Sequence, residues 1–278
     1  MSFAHIFADI FVVFGVIFVL SLLGYLIPQL VIRILKPLDL KKRYGGGFAF
    51  ITGGNSGMGE QFAKKVAKMG FNIIILAEDE DRLNKVAKEI NDVNPQCRVI
   101  IINADLSGDP EKVTEQVIAK LQNVDISIMF FNAGYGVVEL AANPSENTLR
   151  QFRTNIVTHQ YLFQALYPKL ASRIIDHKQQ GAIRRGGVLF TASLAGFIYP
   201  PGSHVYGATK EYLGHLGECL ATEAEYYGID VVSLYPGFVN TRFLGRLTTV
   251  QMPWWLEKIN QNPDAPVKLA LTGLGRIT

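Results

Sequence analysis

Tyr206 and Lys210 stand four residues apart in the run Tyr-Gly-Ala-Thr-Lys, and Ser193 lies thirteen positions before Tyr206. On a helix, positions i and i+4 share a face, so the Lys210 ammonium can lie beside the Tyr206 phenol. Such a neighbour would stabilise the phenolate against an ordinary pKa of about 10 and make Tyr206 a general acid/base near neutrality. Ser193 could hold an oxygen on which charge builds up during hydride transfer. Taken singly, an amphipathic tyrosine, a surface lysine and a loop serine are all ordinary. A bare Tyr-x-x-x-Lys arises by chance about once per 400 positions.

A second constellation lies upstream, at Thr52-Gly53-Gly54-Asn55-Ser56-Gly57-Met58-Gly59, between an apolar run and a helical pattern. Glycines there permit a tight turn and close backbone approach. The free N–H groups and positive dipole at the following helix N-terminus favour a pyrophosphate. A glycine cluster alone is weak evidence, but this one sits on the first βα turn, where a phosphate loop must lie.

The elements that would position these residues alternate. Phe48–Thr52, Asn72–Leu76, Arg98–Asn103, Ile126–Phe131, Gly187–Thr191 and Asp230–Tyr235 read as buried strands separated by amphipathic helical stretches. The pattern predicts an α/β fold, a Rossmann-type doubly wound parallel sheet, with ligands beyond the carboxyl ends of the strands. The connection Asp176–Gly187 is longer and more polar than the fold requires, and reads as a surface loop.

The 278 residues, 49% hydrophobic, suffice for one large core, and a net charge of +3 without a basic face argues against a nucleic-acid partner. Cys97 and Cys219 have neither a CxxC spacing nor companion histidines, so no metal site or disulfide framework is expected. From Ile10 to Ile32 there is no charged residue. A helix of that length reaches about 34 Å, enough to cross a hydrocarbon core. A cleaved signal peptide is the alternative, but a basic n-region and a small-residue cleavage site are lacking. Residues 1–32 are therefore expected to be a transmembrane anchor that Pro28 kinks or ends, followed by a basic and glycine linker over 33–47 and the Rossmann domain over 48–278. Arg33, Lys36, Lys41, Lys42 and Arg43 put the domain on the cytoplasmic or matrix side by the positive-inside rule. The endoplasmic reticulum and the mitochondrial inner membrane both satisfy this.

Thr52-Gly-x-x-x-Gly-x-Gly59, Asn132-Ala133-Gly134, Asn155, Ser193, Tyr206-x-x-x-Lys210 and Tyr235-Pro236-Gly237 occur in the order and approximate spacing of the short-chain dehydrogenase/reductase family. The chain resembles that family over roughly residues 47–245. The resemblance implies a catalytic set of Asn155, Ser193, Tyr206 and Lys210, in which Asn155 supports a proton-relay water and Lys210 also contacts the nicotinamide ribose. It implies a nicotinamide dinucleotide on Thr52, Gly53, Asn55, Ser56, Gly57, Met58 and Gly59. Asp105 would meet the adenine, Asn132 the adenosine ribose and Thr241 the nicotinamide amide. Ala133, Gly134, Tyr206, Pro236, Gly237 and Val239 complete the expected cofactor residues.

The sequence departs from the family pattern twice. Phe131 replaces the first asparagine of the usual Asn-Asn-Ala-Gly turn, and Glu78 follows the second strand where NADP-using members often carry arginine. A carboxylate there can accept hydrogen bonds from both ribose hydroxyls and faces a 2′-phosphate with like charge, so NAD(H) is expected over NADP(H). Arg82 could swing back to oppose that preference.

Within the family, the apolar N-terminus, basic stretch and Lys-Arg-Tyr-Gly-Gly-Gly resemble the membrane-anchored 17β-hydroxysteroid dehydrogenase and very-long-chain 3-ketoacyl-CoA reductase branch. That implies reduction of a lipophilic ketone, 3-ketoacyl-CoA or steroid-like, drawn from the membrane. Residues 238–265, with Phe238, Phe243, Leu244, Leu247, Met252, Trp254, Trp255 and Leu256, would form a substrate lid or a helix packed on the core. The alternative reading is a dehydrogenase-like structural or accessory subunit of a membrane protein complex. A homodimer is compatible with either, and the short stretch after Pro266 leaves the customary last strand short or missing.

Overall fold

A computed structural model of the chain describes residues 3–174, 184–198, 201–243 and 260–277. The six expected strands appear within one residue at each end: β1 Phe48–Thr52, β2 Asn72–Ala77, β3 Val99–Asn103, β4 Ile126–Phe131, β5 Gly186–Thr191 and β6 Ile229–Leu234. All neighbouring pairs are parallel, in the order β3-β2-β1-β4-β5-β6. Strand order therefore reverses between β1 and β4. That leaves a crevice beyond their carboxyl ends, the position at which such sheets bind dinucleotides.

The near-continuous apolar runs in the strands follow from burial on both faces. Helices α3 (Gly57–Lys68) and α4 (Glu80–Val93) cover one face, with Phe62 and Leu83 among the buried side chains there. Helices α5 (Pro110–Lys120), α7 (Thr158–Ala171) and α8 (His204–Tyr226) cover the other through Val117, Leu162 and Leu213. A short α6 (Glu146–Phe152) runs into α7 through one π-helical turn, Arg153–Val157. The last described helix, α9 (Asp264–Gly273), packs on the α3 face through Val267 and Leu271. Among the described residues no strand pairs with the outer side of β6. Most of the long polar connection (175–183) and most of the lid region (244–259, with Leu244, Leu247, Met252, Trp254, Trp255 and Leu256) lie outside the described residues.

In the N-terminal segment Pro28 does not end the helix, and the stretch that follows is folded into the domain. Helix α1 is continuous over Phe3–Ile34 with Pro28 inside it. The position four residues before Pro28 is Gly24, with nothing beside it, and proline is tolerated in membrane-length helices where neighbouring backbone groups readjust. The stretch after α1 is not a solvated linker. Leu40–Tyr44 forms a helix, α2, whose Leu40 and Tyr44 are fully buried. The Tyr44 hydroxyl donates to the buried Asp230 carboxylate at 2.8 Å, and the Arg43 and Arg184 guanidinium groups pair with the same carboxylate. Arg173, also buried, donates to the Gly46 carbonyl at 3.2 Å and holds Asp125.

Deleting residues 1–32 is therefore expected to leave a domain that melts cooperatively and binds nucleotide. A cut extended through Tyr44 strips Asp230 of two of its partners and exposes the bed of Leu40 and Tyr44. Removing partners from a buried charge costs about 3–5 kcal/mol. Circular-dichroism melting of the two truncations checks this, and equal melting temperatures would refute it.

Candidate active site

The glycine loop lies flat across β1, β2 and β4. Gly53, with φ of +68°, approaches the β4 turn so closely that a Cβ there would sit 2.9 Å from the Ala133 Cα. A Cβ on Gly59 would meet the Gly53 carbonyl oxygen at 2.1 Å. Both contacts are with backbone and cannot yield, so glycine is required at each. Ser56 precedes α3 in extended conformation, and its side chain makes no capping bond. The first amides of α3 are thus left for an anion.

Thr52 and Gly59 lie beneath the loop, while Gly53, Asn55, Ser56, Gly57 and Met58 line a cavity of about 470 Å³. The Thr52 hydroxyl accepts from the Asn132 and Ala133 amides at 2.9 and 3.0 Å. Asn132 is pinned further, donating to the Thr52 carbonyl at 3.2 Å and accepting from the Thr191 hydroxyl at 3.3 Å. Ala133 and Gly134 continue the cavity wall. Glycine is favoured at 134 too, because a Cβ there would lie 3.1 Å from the Lys210 Nζ.

The opposite wall carries the proton-transfer candidates. Ser193 follows β5, and its Oγ accepts from the Ala195 amide at 3.1 Å, capping a short 3₁₀ turn, Leu194–Gly196. Tyr206 and Lys210 sit on the first turns of α8 and share the face that looks into the cavity. The Phe243 ring lies 5.4 Å from that of Tyr206. Lys210 Nζ donates to the Thr191 carbonyl at 2.8 Å and stands over the Tyr206 ring, 5.9 Å from its centroid.

The electrostatics differ from the sequence expectation. Burial pushes the Tyr206 phenol up to about 12, with the Ser193 hydrogen bond pulling against it. Burial pushes the Lys210 ammonium down to about 8. Desolvation outweighs attraction because the ammonium lies over the ring face and is bonded to a carbonyl, not to the phenol oxygen.

Asn155 is fully buried in the π-turn, and both ends of its carboxamide are engaged. Its Oδ1 accepts from the Tyr135 amide at 2.7 Å, and its Nδ2 donates to the Tyr135 carbonyl at 2.8 Å and the Thr209 hydroxyl at 2.9 Å. The side chain clamps the loop after β4 onto α8.

Beyond β6, Pro236, Gly237, Val239 and Thr241 line the cavity above α3. Pro236 accepts from the Leu194 amide at 3.0 Å, Val239 forms a bridge with Gln261, and the Thr241 methyl occupies the space that a Gly57 Cβ would fill.

At the other end of the cavity, Glu78 and Asp105 face one another across a residue that sequence reasoning missed. Arg150, from α6, donates to Glu78 at 3.1 Å, lies 3.9 Å from Asp105 and stacks on the Tyr135 ring at 4.6 Å. Seventy-two positions separate it from Glu78, and no local pattern marked it. Arg82 pairs with Asp79 at 3.1 Å instead of turning into the cavity. Asp105 accepts from the Ser107 amide and hydroxyl, each at 2.8 Å.

This geometry can be set beside known proteins. The short chain dehydrogenase family profile matches residues 47–251. The chain belongs to the short-chain dehydrogenase family. Similar curated proteins include a Caenorhabditis elegans protein that carries a steroid dehydrogenase name, 25% identical, with 84% of this dehydrogenase and 71% of the relative covered. Another is the very-long-chain 3-oxoacyl-CoA reductase of Coccidioides immitis, 27% identical, with 83% and 62% covered. The dehydrogenase thus spans about two thirds of the length of the curated relatives it matches.

Among solved structures, a 3-ketoacyl-(acyl-carrier-protein) reductase from Brucella melitensis complexed with NADH superposes with a TM-score of 0.70 at 26% identity, covering 83% of this chain and 91% of that one. A short-chain dehydrogenase from Sphingobium yanoikuyae in complex with NADPH gives 0.69 at 26% identity, covering 82% and 84%. The dehydrogenase is an NAD(P)-dependent oxidoreductase with a Rossmann-type sheet. The flat glycine loop, where any Cβ on Gly53 or Gly59 would close the approach, fits a dinucleotide.

Proposed function

We propose that the dehydrogenase reduces a lipophilic ketone of 3-oxoacyl-CoA or steroid type, with Tyr206 as the general acid/base. The observation that carries this reading is a single cavity in which the glycine loop faces Ser193, Tyr206 and Lys210, under a rim of Val138, Leu194 and Ile198 that is about half exposed. Such a rim suits an apolar substrate entering from a membrane.

When bound, a nicotinamide dinucleotide would supply the hydride. The amides opening α3 would hold its phosphates, and the Lys210 ammonium would contact its nicotinamide ribose. Ser193 donates a hydrogen bond to the carbonyl oxygen as charge develops on it. Tyr206, fully protonated at neutral pH, gives that oxygen its proton. Lys210 in turn favours the phenolate left behind.

The same reading makes the enzyme a single-pass membrane protein. Phe7–Ile34 has a hydropathy of 2.8, with no residue of its 18-residue apolar window buried; as a helix it reaches about 42 Å, beyond the roughly 30 Å of a hydrocarbon core. The basic residues that follow favour a catalytic domain on the cytoplasmic or matrix side of the endoplasmic reticulum or mitochondrial inner membrane.

NAD(H) preference rests on Glu78, just past β2 in the cavity wall. Two like charges about 4 Å apart repel by roughly 4 kcal/mol at an effective dielectric near 20. Glu78 is 44% exposed along its side chain and paired with Arg150, which reduces this to about 1 kcal/mol, or roughly fivefold. Glu78→Arg should therefore reverse the ratio of kcat/KM for NADH over NADPH. A wild type that favours NADPH, or a variant with an unchanged ratio, removes Glu78 as the reader of the ribose.

The function itself is tested by following NADH oxidation by the detergent-solubilised chain with a long-chain 3-oxoacyl-CoA, a steroid ketone and a small water-soluble ketone. Turnover with at least one lipophilic ketone at the higher kcat/KM supports the proposal. A preference for the small ketone, or nucleotide binding without turnover of any, overturns it.

A further inference from the structure

His159 lies in the first turn of α7, one residue beyond Thr158 at the end of the π-turn, is 2% exposed, and belongs to none of the roles above. Its Nε2 lies 3.0 Å from the Thr52 hydroxyl and its Nδ1 3.3 Å from the Asn155 carbonyl. A carbonyl only accepts, so Nδ1 carries the proton and Nε2 is bare. The Thr52 O–H must then donate to Nε2, which turns both Thr52 lone pairs toward the Asn132 and Ala133 amides.

The opposite tautomer fails on three counts. It would bring three donors to a hydroxyl with two lone pairs, and it would set the Nδ1 lone pair against those of the Asn155 carbonyl. The Thr52 proton would also have to go to the Phe130 carbonyl, at a longer 3.4 Å.

We infer that His159 is a positioning residue whose neutral, Nδ1-protonated ring locks the Thr52 hydroxyl, the Asn132–Ala133 turn and the Asn155 peptide into one floor beneath the nucleotide cavity. The departure at position 131 fits this role. The Phe131 ring meets the imidazole edge-on at 5.6 Å and 78° and is itself stacked on Phe190 at 5.2 Å, so the imidazole is wedged in one orientation. The ionised group that faces it is Lys210, and burial together with that charge holds the imidazole down to about 3. The ring joins ends of chain 107 residues apart. It binds β1, the β4 turn and the π-turn at the point where the glycine loop and α8 face each other.

Two measurements on the full detergent-solubilised chain test this, and the first does not depend on the functional reading. In ¹⁵N-histidine spectra, assigned by replacing the other four histidines in turn, His159 should show a protonated Nδ1 and a bare Nε2. Both signals should stay unchanged from about pH 8 to about pH 5, where an ordinary histidine titrates. A protonated Nε2, or titration in that range, overturns the inference.

The second is a double-mutant cycle on NADH affinity. Thr52→Val and His159→Phe should each weaken binding about tenfold, and the double variant also about tenfold, because all three lose the same lock. An additive loss of roughly a hundredfold would show that the two act separately and would also overturn it. If NADH fails to bind the wild type, the NAD(H) preference falls while the tautomer result still decides His159.

Discussion

Tyr206→Phe is expected to lower kcat by about a thousandfold or more while the Kd for NADH stays within about twofold. The substitution deletes one oxygen. The ring remains against Phe243 and beneath Lys210, so the cavity keeps its shape. The lost oxygen is the group that delivers the proton, and among the described residues no other acid stands in its place: the Ser193 hydroxyl is far too weak an acid, and the Asn155 carboxamide is committed to Tyr135 and Thr209. Stopped-flow NADH oxidation and fluorescence titration separate the two quantities. Substantial turnover in the variant would remove Tyr206 from the chemistry.

Lys210→Met should lose turnover to a similar degree, weaken NADH about tenfold, and yet stabilise the nucleotide-free protein. The fall of its pKa from 10.5 to about 8 means that keeping the buried ammonium charged at neutral pH costs roughly 3 kcal/mol. Its hydrogen bond to the Thr191 carbonyl returns about 1–2 kcal/mol on the wild-type side. The difference leaves the variant more stable by about 1–2 kcal/mol, a melting shift of a few degrees.

The pH dependence has a definite sign. Between about pH 8 and 10.5 the unfolded chain holds the Lys210 proton that the folded chain has released, so wild-type stability rises with pH across that window. The Met variant lacks this rise. Over the same lower edge, kcat/KM should fall as pH passes through about 8, because free enzyme with a neutral Lys210 loses the charge that favours the phenolate. A variant less stable than wild type at pH 7, or a kcat/KM profile flat through pH 8, would contradict this account.

Much of this was legible in order and spacing alone. The six apolar runs marked strands because a sheet covered by helices on both faces leaves few polar positions along its strands. The Thr52–Gly59 loop was readable because glycine is the one residue that its contacts with the Ala133 and Gly53 backbones tolerate. Tyr206 and Lys210 were readable because a helix brings i and i+4 to one face whatever surrounds it.

Where the outcome depended on residues far apart in the chain, the tertiary structure alone decided it. Arg150 reaches Glu78 across 72 positions, His159 reaches Thr52 across 107, and Tyr44 reaches Asp230 across 186. No periodicity encodes such pairs, and the last of them turned an apparently basic linker into part of the core. The charge states of Tyr206 and Lys210 were likewise beyond the sequence. Spacing put the ammonium near the phenol, but burial pushed the tyrosine up and the lysine down, and burial is a property of everything packed around them.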